Sequence, residues 1–168
     1  MMMIQRLPLR LMLPIGLASL VVACGSPEPT TETGDSAAEP EASIIEVRQE
    51  NFEGIADAFK AIRGQFEGDT PDFVVVETNA SIINANAQLI TGHFPEGTGI
   101  DSGAETEALE VIWETPEEFA EAAGNLVAAS SALADAAAAQ DLAAVQEGVG
   151  NLGGACKACH DVFRVEQE

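Results

Sequence analysis

The fold is decided by residues 141–163, which read DLAAVQEGVGNLGGACKACHDVF. Apolar residues and cysteines recur in this stretch at alternating intervals of three and four, the spacing of one helix face inside a bundle. The face consists of Leu142, Val145, Val149, Leu152, Cys156, Cys159 and Phe163. Asp141 precedes it and is expected to cap the helix. The pattern predicts a long helix that turns both cysteines into the core of a helical bundle.

The end of this helix contains the run Cys156-Lys157-Ala158-Cys159-His160. A C-x-x-C-H spacing is typical of the covalent attachment of a c-type haem. Residues three apart share a helix face, so both thiols can bond the vinyl groups of one porphyrin while His160 ligates its iron. The run predicts one covalent haem c inside the bundle, near the end of the last helix.

Two other uses of these cysteines stay open as alternatives. A thioredoxin-like disulfide pair is typical of a βαβ setting, which this sequence does not show. A zinc site needs four ligands, and beside Cys156, Cys159 and His160 the exported chain would offer only the distant His93. Haem attachment is therefore the interpretation that the sequence favours.

The first helix of the bundle is expected over about residues 44–67, with Ser43 as its cap and Gly68 just beyond its end. Its seam has the same alternating spacing as the last helix. The seam residues are Ile45, Arg48, Phe52, Ile55, Phe59, Ile62 and Phe66. A charged residue such as Arg48 is costly in a core seam unless it is paired. Haem propionates are its expected partners, and a surface pair with Glu46 or Glu50 is the alternative.

Two more helices complete the predicted bundle. The second is expected to begin at Thr70 and Pro71 and to run to Phe94, where a glycine-rich loop follows. The third is expected to begin with the capping box at residues 115–118, with Pro116 in its first turn. The last helix contains Gly148, Gly150, Gly153 and Gly154, which predict a close approach of a porphyrin or of a neighbouring helix. The fold class is therefore all-α, an antiparallel four-helix bundle.

The N-terminal residues predict export. Residues 1–23 form a signal peptide, with Arg6 and Arg10 before an apolar run that is too short to span a membrane. Its end resembles a bacterial lipoprotein signal, which implies that Cys24 is lipidated; an ordinary signal peptide is the alternative. Residues 24–42 are expected to be an acidic, disordered tether, and residues 43–168 one domain. The predicted location is the periplasm, on a lipid anchor, with Gly25 slightly favouring the outer membrane.

The charge distribution limits the possible partners. All 28 acidic residues follow Cys24, whereas Arg6 and Arg10 belong to the signal and leave the mature chain few basic residues. Such a chain is not expected to bind nucleic acid, or anionic lipid by charge. A basic partner could dock on it, and an acidic surface suited to salty surroundings is the alternative explanation.

These motifs together resemble cytochrome c prime (cytochrome c′), of the class II cytochrome c family. The resemblance rests on Arg48-Gln49 followed by Phe52, on Ile112-Trp113, and on the run of residues 156–164. It implies that Arg48 and Gln49 lie near the haem propionates, that Phe52 lies on the distal face, and that Arg164 flanks the proximal face. Trp113 is counted with the cofactor-binding residues for the same reason. The family also implies a possible homodimer through the first two helices.

The function depends on what lies opposite His160. The four methionines are residues 1, 2, 3 and 12, inside the signal, and the chain has no tyrosine. His93 is the remaining strong ligand, and we expect it to end the second helix rather than reach the iron. The sequence and the resemblance therefore predict five-coordinate iron that binds NO and CO and buffers NO. The alternative is a periplasmic electron carrier with a redox partner protein. No catalytic constellation is seen, so an enzyme is not expected.

Overall fold

The computed structural model describes residues 38–68 and 70–166. Its helices are α1 (Ala38–Gly64), α2 (Phe73–Ala87), α3 (Val111–Glu114), α4 (Pro116–Ala138) and α5 (Leu142–Phe163), with 3₁₀ turns at Ile90–His93 and Ile100–Ser102. Helix α2 packs against α1 and α4, and α4 packs against α5. The predicted all-α, antiparallel four-helix bundle is confirmed, with α3 as one additional turn. The predictions for the signal, for Cys24 and for most of the tether concern residues outside the described ranges.

The helix seams form the core as predicted. In α1 the residues Ile45, Ile55 and Ile62 are buried, and in α5 the residues Val145 and Leu152 are buried. For the helix that begins at Pro116 the sequence predicts a seam at Phe119, Ala122, Leu126, Ala129, Leu133 and Ala136, but in α4 the residues Ala123, Ser130 and Ala137 are buried in place of the three alanines. A straight α-helix has 3.6 residues per turn and drifts against a strict heptad, which explains the shift by one position.

Helix α1 is longer at its start and shorter at its end than predicted. It begins at Ala38, so Ser43 lies inside the helix and is not its cap. It ends at Gly64, and the backbone N–H groups of residues 65–67 bond oxygens three positions earlier. Such bonds are typical of the tightening of a last helical turn. The expected end at Gly68 was therefore one turn too late.

The second predicted helix has different bounds at both ends. Asp72, rather than Thr70, is the N-cap, and its side chain accepts a hydrogen bond from the backbone N–H of Val74 at 2.9 Å. Helix α2 ends at Ala87, and a 3₁₀ turn at Ile90–His93 replaces the predicted last turns. Pro95 disfavours helical geometry at the residue before it, which agrees with the non-helical φ of −123° and ψ of 61° at Phe94.

The helix starts at Pro116 and Leu142 were both predicted, but only one of the two predicted caps is present. Asp141 accepts a hydrogen bond from the backbone N–H of Ala144 at 3.1 Å, which confirms the cap of α5. Thr115 makes no side-chain cap, and the predicted capping box was wrong. Its hydroxyl instead donates to the carbonyl of Val111 at 3.0 Å, because α3 ends directly before α4 begins.

Candidate functional site

A cavity of about 770 Å³ lies between α1, α4 and α5. This volume lies in the range of ligand-binding cavities, roughly 300–1,000 Å³. Most of the lining is apolar: Phe52, Ile55 and Phe59 from α1, Phe119, Ala122, Ala123 and Leu126 from α4, and Ala155 and Phe163 from α5. The small side chains of the α4 alanines leave room for a flat group in the cavity, as expected where one face of a helix is rich in alanine.

Cys156, Cys159 and His160 line this cavity from the last turns of α5. Both thiols are free and half-buried. Burial raises the pKa of Cys156, and burial together with Cys156 raises the pKa of Cys159 to about 11. Both side chains are therefore thiols at neutral pH. In this form each cysteine could add to a vinyl group of a haem. The sulfur would bond one vinyl carbon and the hydrogen the other, so the thioether would form without an oxidant.

His160 is placed to ligate a metal in the same cavity. Partial burial and the nearby Arg164 guanidinium lower the pKa of His160, while Asp161 and Glu107 act in the opposite direction. A lowered pKa favours the neutral imidazole, which is the form that binds a metal ion. Two thiols, one imidazole and a large cavity with an apolar lining are what haem c requires, and the structure thus fits the cofactor.

Arg48 is a buried cation in the wall of the cavity, with 3% of its surface exposed. Its Nη2 donates to the backbone oxygen of Thr98 at 2.9 Å and to Thr106 Oγ1 at 2.7 Å, and its Nη1 donates to Thr98 Oγ1 at 3.2 Å. These bonds go to the segment between α2 and α3 rather than to Glu46 or Glu50. A guanidinium has five N–H donors, so donors are left for an anionic group in the cavity. Burial lowers the pKa of Arg48.

Gln49, Phe52 and Arg164 also line the cavity. The Gln49 amide donates to the backbone oxygen of Glu105 at 3.0 Å. Both Nε and Nη2 of Arg164 lie 2.5 Å from Glu107 Oε2. Two backbone hydrogen bonds join the segment around Glu107 to the end of α5. The Leu109 N–H donates to the Phe163 oxygen, and the Val165 N–H donates to the Glu107 oxygen.

Trp113 and His93 lie outside the lining of the cavity. The Trp113 indole N–H donates to the backbone oxygens of Phe94 at 3.0 Å and Pro95 at 3.1 Å, so Trp113 supports the wall from behind. His93 ends a 3₁₀ turn, and its Nδ1 is buried without a hydrogen-bond partner. Among the described residues that line the cavity, His160 is therefore the only imidazole.

Several residues of the site were not predicted from the sequence. Thr98 and Thr106 hold Arg48, Glu107 pairs with Arg164, and the ring of Phe94 forms part of the wall. Phe94 was assigned to a helix seam, and the other three lie in a segment without periodicity. The only available signal was the need for a buried Arg48 to have polar partners, which does not identify them.

The fold and the site define a class of protein, a c-type haem protein built on a four-helix bundle. The model of the family described as Cytochrome C′ matches residues 43–164, and the chain belongs to this family. Up-and-down four-helix bundles are well known from cytochrome c′ itself. As in its relatives, the chain carries one covalent haem c, attached through the C-x-x-C-H motif.

Curated relatives and solved structures agree with this assignment. The cytochrome c′ of Pararhodospirillum photometricum is 38% identical over 128 residues, which cover 76% of this chain and 99% of the relative. The cytochrome c′ of Rubrivivax gelatinosus is 36% identical over 71% of this chain and 92% of its own length. The structure of cytochrome c prime from Shewanella frigidimarina has a TM-score of 0.69 at 31% identity, over 76% of this chain and 98% of that chain.

Proposed function

We propose that this cytochrome c′ has five-coordinate haem iron that binds NO and CO and buffers NO. The observation that carries the proposal is the composition of the cavity wall, where His160 is the one imidazole among the described residues and no methionine contributes. All four methionines lie at residues 1, 2, 3 and 12. An iron held by His160 alone has an open position for a small ligand.

The α1 wall at Phe52 supports binding of neutral diatomic ligands. Its neighbours along the helix face, Ile55 and Phe59, are apolar. An apolar pocket offers dioxygen no hydrogen bond, whereas NO and CO bind iron without one. A mutant of the Alcaligenes xylosoxidans cytochrome c′ forms a nitric oxide complex, and that protein shares the fold at 24% identity. We propose that Phe52 is the gate on this side.

Optical and electron paramagnetic resonance spectra of the haem-loaded protein test the proposal. We expect high-spin ferric and ferrous spectra near neutral pH, and spectral changes on addition of NO or CO. His93→Ala should leave the resting spectra unchanged, because His93 lies outside the cavity lining. A low-spin resting spectrum that becomes high-spin in His93→Ala would identify a bis-histidine electron carrier and overturn the gas-binding function.

Other residues have proposed roles around the same cofactor. Arg48 and Gln49 would hold the haem propionates, and Arg164 would flank the haem on the side of His160. The buried guanidinium of Arg48 supports its role, because a buried cation gains from an anionic neighbour. Arg48→Leu should then shift the reduction potential of the haem, while Lys60→Leu, on the outer part of α1, should not. Equal potentials in both variants would exclude Arg48 as a propionate partner.

We further propose that the protein is a periplasmic lipoprotein anchored through Cys24. Gly25, the next residue, slightly favours the outer membrane as the site of the anchor. None of the helices in the described part of the chain is both long and apolar enough to span a bilayer. Intact-mass spectrometry of the native protein should find a diacylated or triacylated N-terminal Cys24 and no residues from 1–23. Cleavage at another position, or a free Cys24 thiol, would contradict the anchor.

A homodimer through α1 and α2 is proposed as well. Large apolar side chains are exposed on α2 and just after its end, with Val74 at 67% and Ile82 at 43% in the helix and Leu89 at 51% beyond it. One cytochrome c′ with a TM-score of 0.68 and 28% identity is described as showing an unusual ligand-controlled dimer dissociation. Analytical ultracentrifugation should give a dimer for the native chain and a monomer for Ile82→Glu. A monomer in both cases would contradict the interface.

A further inference from the structure

The wall of the haem cavity contains a chain of edge-to-face aromatic contacts that runs from α1 to α5. The ring centroids of Phe52 and Phe94 lie 6.3 Å apart at an interplanar angle of 75°. Phe94 and Phe119 follow at 4.8 Å and 67°, and Phe119 and Phe163 at 5.2 Å and 74°. All four rings line the cavity. Phe163 lies one turn after His160, so the aromatic chain joins the Phe52 wall to the helix that holds the iron ligand.

Phe94 takes part in more of the ring contacts than any other member of this aromatic chain. The guanidinium carbon of Arg48 lies 4.5 Å from the centroid of its ring. Trp113 contacts the ring at 6.3 Å and also donates its indole N–H to the Phe94 backbone oxygen at 3.0 Å. Together with Phe119, these contacts hold Phe94 on several sides.

Phe52 makes fewer such contacts. Like Phe94 it is half-buried and lines the cavity, and within residues 38–68 and 70–166 the aromatic ring in contact with it is that of Phe94. Because protein interiors are closely packed, a change in the volume of this neighbouring ring is expected to move Phe52.

We propose that Phe94 is a positioning residue for Phe52, and thereby sets the room that a ligand has on the iron. The inference rests on the proposed function, in which Phe52 is the gate. Phe94 belongs to the segment between α2 and α4 and acts through its edge-to-face contact with the Phe52 ring. A smaller side chain at position 94 leaves space behind Phe52, into which its ring can turn away from the iron.

A double-mutant cycle of CO affinity in the ferrous, haem-loaded protein tests this inference. F52A should raise the affinity for CO, because it removes the ring over the iron. F94L should raise it by a smaller factor, roughly two- to tenfold, the equivalent of one aromatic pair. F94L should add nothing in the F52A background, because no ring is left to position. F66L is the matched control, since Phe66 packs on the core but lies outside the cavity lining, and it should leave CO affinity unchanged.

A second measurement reports the ring positions without any ligand. The chain has seven phenylalanines, so protein labelled with 4-fluorophenylalanine should give seven fluorine resonances. The resonances missing from F52A and F66L identify Phe52 and Phe66. F94L should shift the Phe52 resonance and leave the Phe66 resonance in place. If F94L does not accumulate, Phe94→Ile replaces it in both experiments, because isoleucine also removes the aromatic ring and adds no group that can ligate iron.

The outcomes separate this inference from the proposed function. If F52A leaves CO affinity unchanged, Phe52 does not restrict ligand binding to the iron, and this part of the proposed function is wrong. If F52A raises the affinity while F94L changes neither the affinity nor the Phe52 resonance, the gate stands and the inference about Phe94 is overturned. An equal effect of F94L with and without Phe52 also overturns it, because Phe94 would then act on the ligand directly.

Discussion

The two sides of the haem cavity differ in how far apart along the chain their residues lie. On the α5 side, Cys156, Cys159, His160 and Arg164 fall within nine consecutive residues of the chain. On the α1 side, Arg48 is bonded to Thr98 and Thr106, which lie 50 and 58 positions later. The covalent chemistry of the cofactor is thus encoded locally, whereas the surroundings of Arg48 exist only after the chain has folded.

The largest effect is expected on the local side, from Cys156→Ala together with Cys159→Ala. Without thiols no thioether can form, so we expect protein with no covalently bound haem, or no accumulation at all. Acid–acetone extraction and the intact mass report the covalent haem directly. The native protein should keep its colour on extraction. Extraction of free haem from the native protein would contradict the predicted attachment.

The next effect tests the non-local side, through Arg48→Leu. The change leaves the backbone oxygen of Thr98 without the guanidinium that it accepts from. We expect a loss of about 2–3 kcal/mol in the free energy of unfolding of the haem-loaded protein, measured with urea.

Gln49→Ala is the matched control for Arg48→Leu. Its hydrogen bond to the Glu105 oxygen is exposed, so the expected loss is below about 0.5 kcal/mol. Equal losses in the two variants would show that burial of Arg48 contributes nothing special to this side of the cavity.

The difference between the two sides also explains what the sequence could predict. The heptad seams and the C-x-x-C-H run identified the bundle, the covalent haem c and the position of Phe52 in the wall, because each depends on the spacing of neighbouring residues along one helix. The contacts of Phe94, Thr98 and Thr106 depend on the path of the segment between α2 and α4. Neither periodicity nor composition determines that path.

Helix ends show the same limit on a smaller scale. The Asp141 cap was predicted correctly because it is formed within three residues. The Thr115 capping box was wrong because α3 lies directly before α4, and the Thr115 hydroxyl bonds back to it. A local motif therefore predicts local geometry only where no other element competes for the same side chain.

A cap comparison gives the third prediction. Asp141→Ala removes the acceptor for the Ala144 N–H at the start of α5, and we expect a loss of about 1 kcal/mol in the free energy of unfolding. Thr115→Ala removes no cap and should cost less than about 0.5 kcal/mol. Urea unfolding monitored by circular dichroism measures both. A larger loss for Thr115→Ala than for Asp141→Ala would reverse the assignment of the two caps.

The smallest effect is expected from the glycines of α5, which the sequence assigned to close approach. A Cβ on Gly148 would lie 3.0 Å from Leu133 Cδ1, whereas a Cβ on Gly154 would meet nothing within 4 Å. Alanine favours a helix interior by up to about 1 kcal/mol over glycine. We expect Gly154→Ala to raise the free energy of unfolding by about 0.5–1 kcal/mol, and Gly148→Ala to raise it less or to lower it. Urea unfolding of the haem-loaded protein measures the difference. If Gly154→Ala instead lowers the free energy of unfolding, the added methyl group meets the porphyrin at that position. The α5 side of the cavity would then also depend on contacts that form only after the chain has folded around the cofactor.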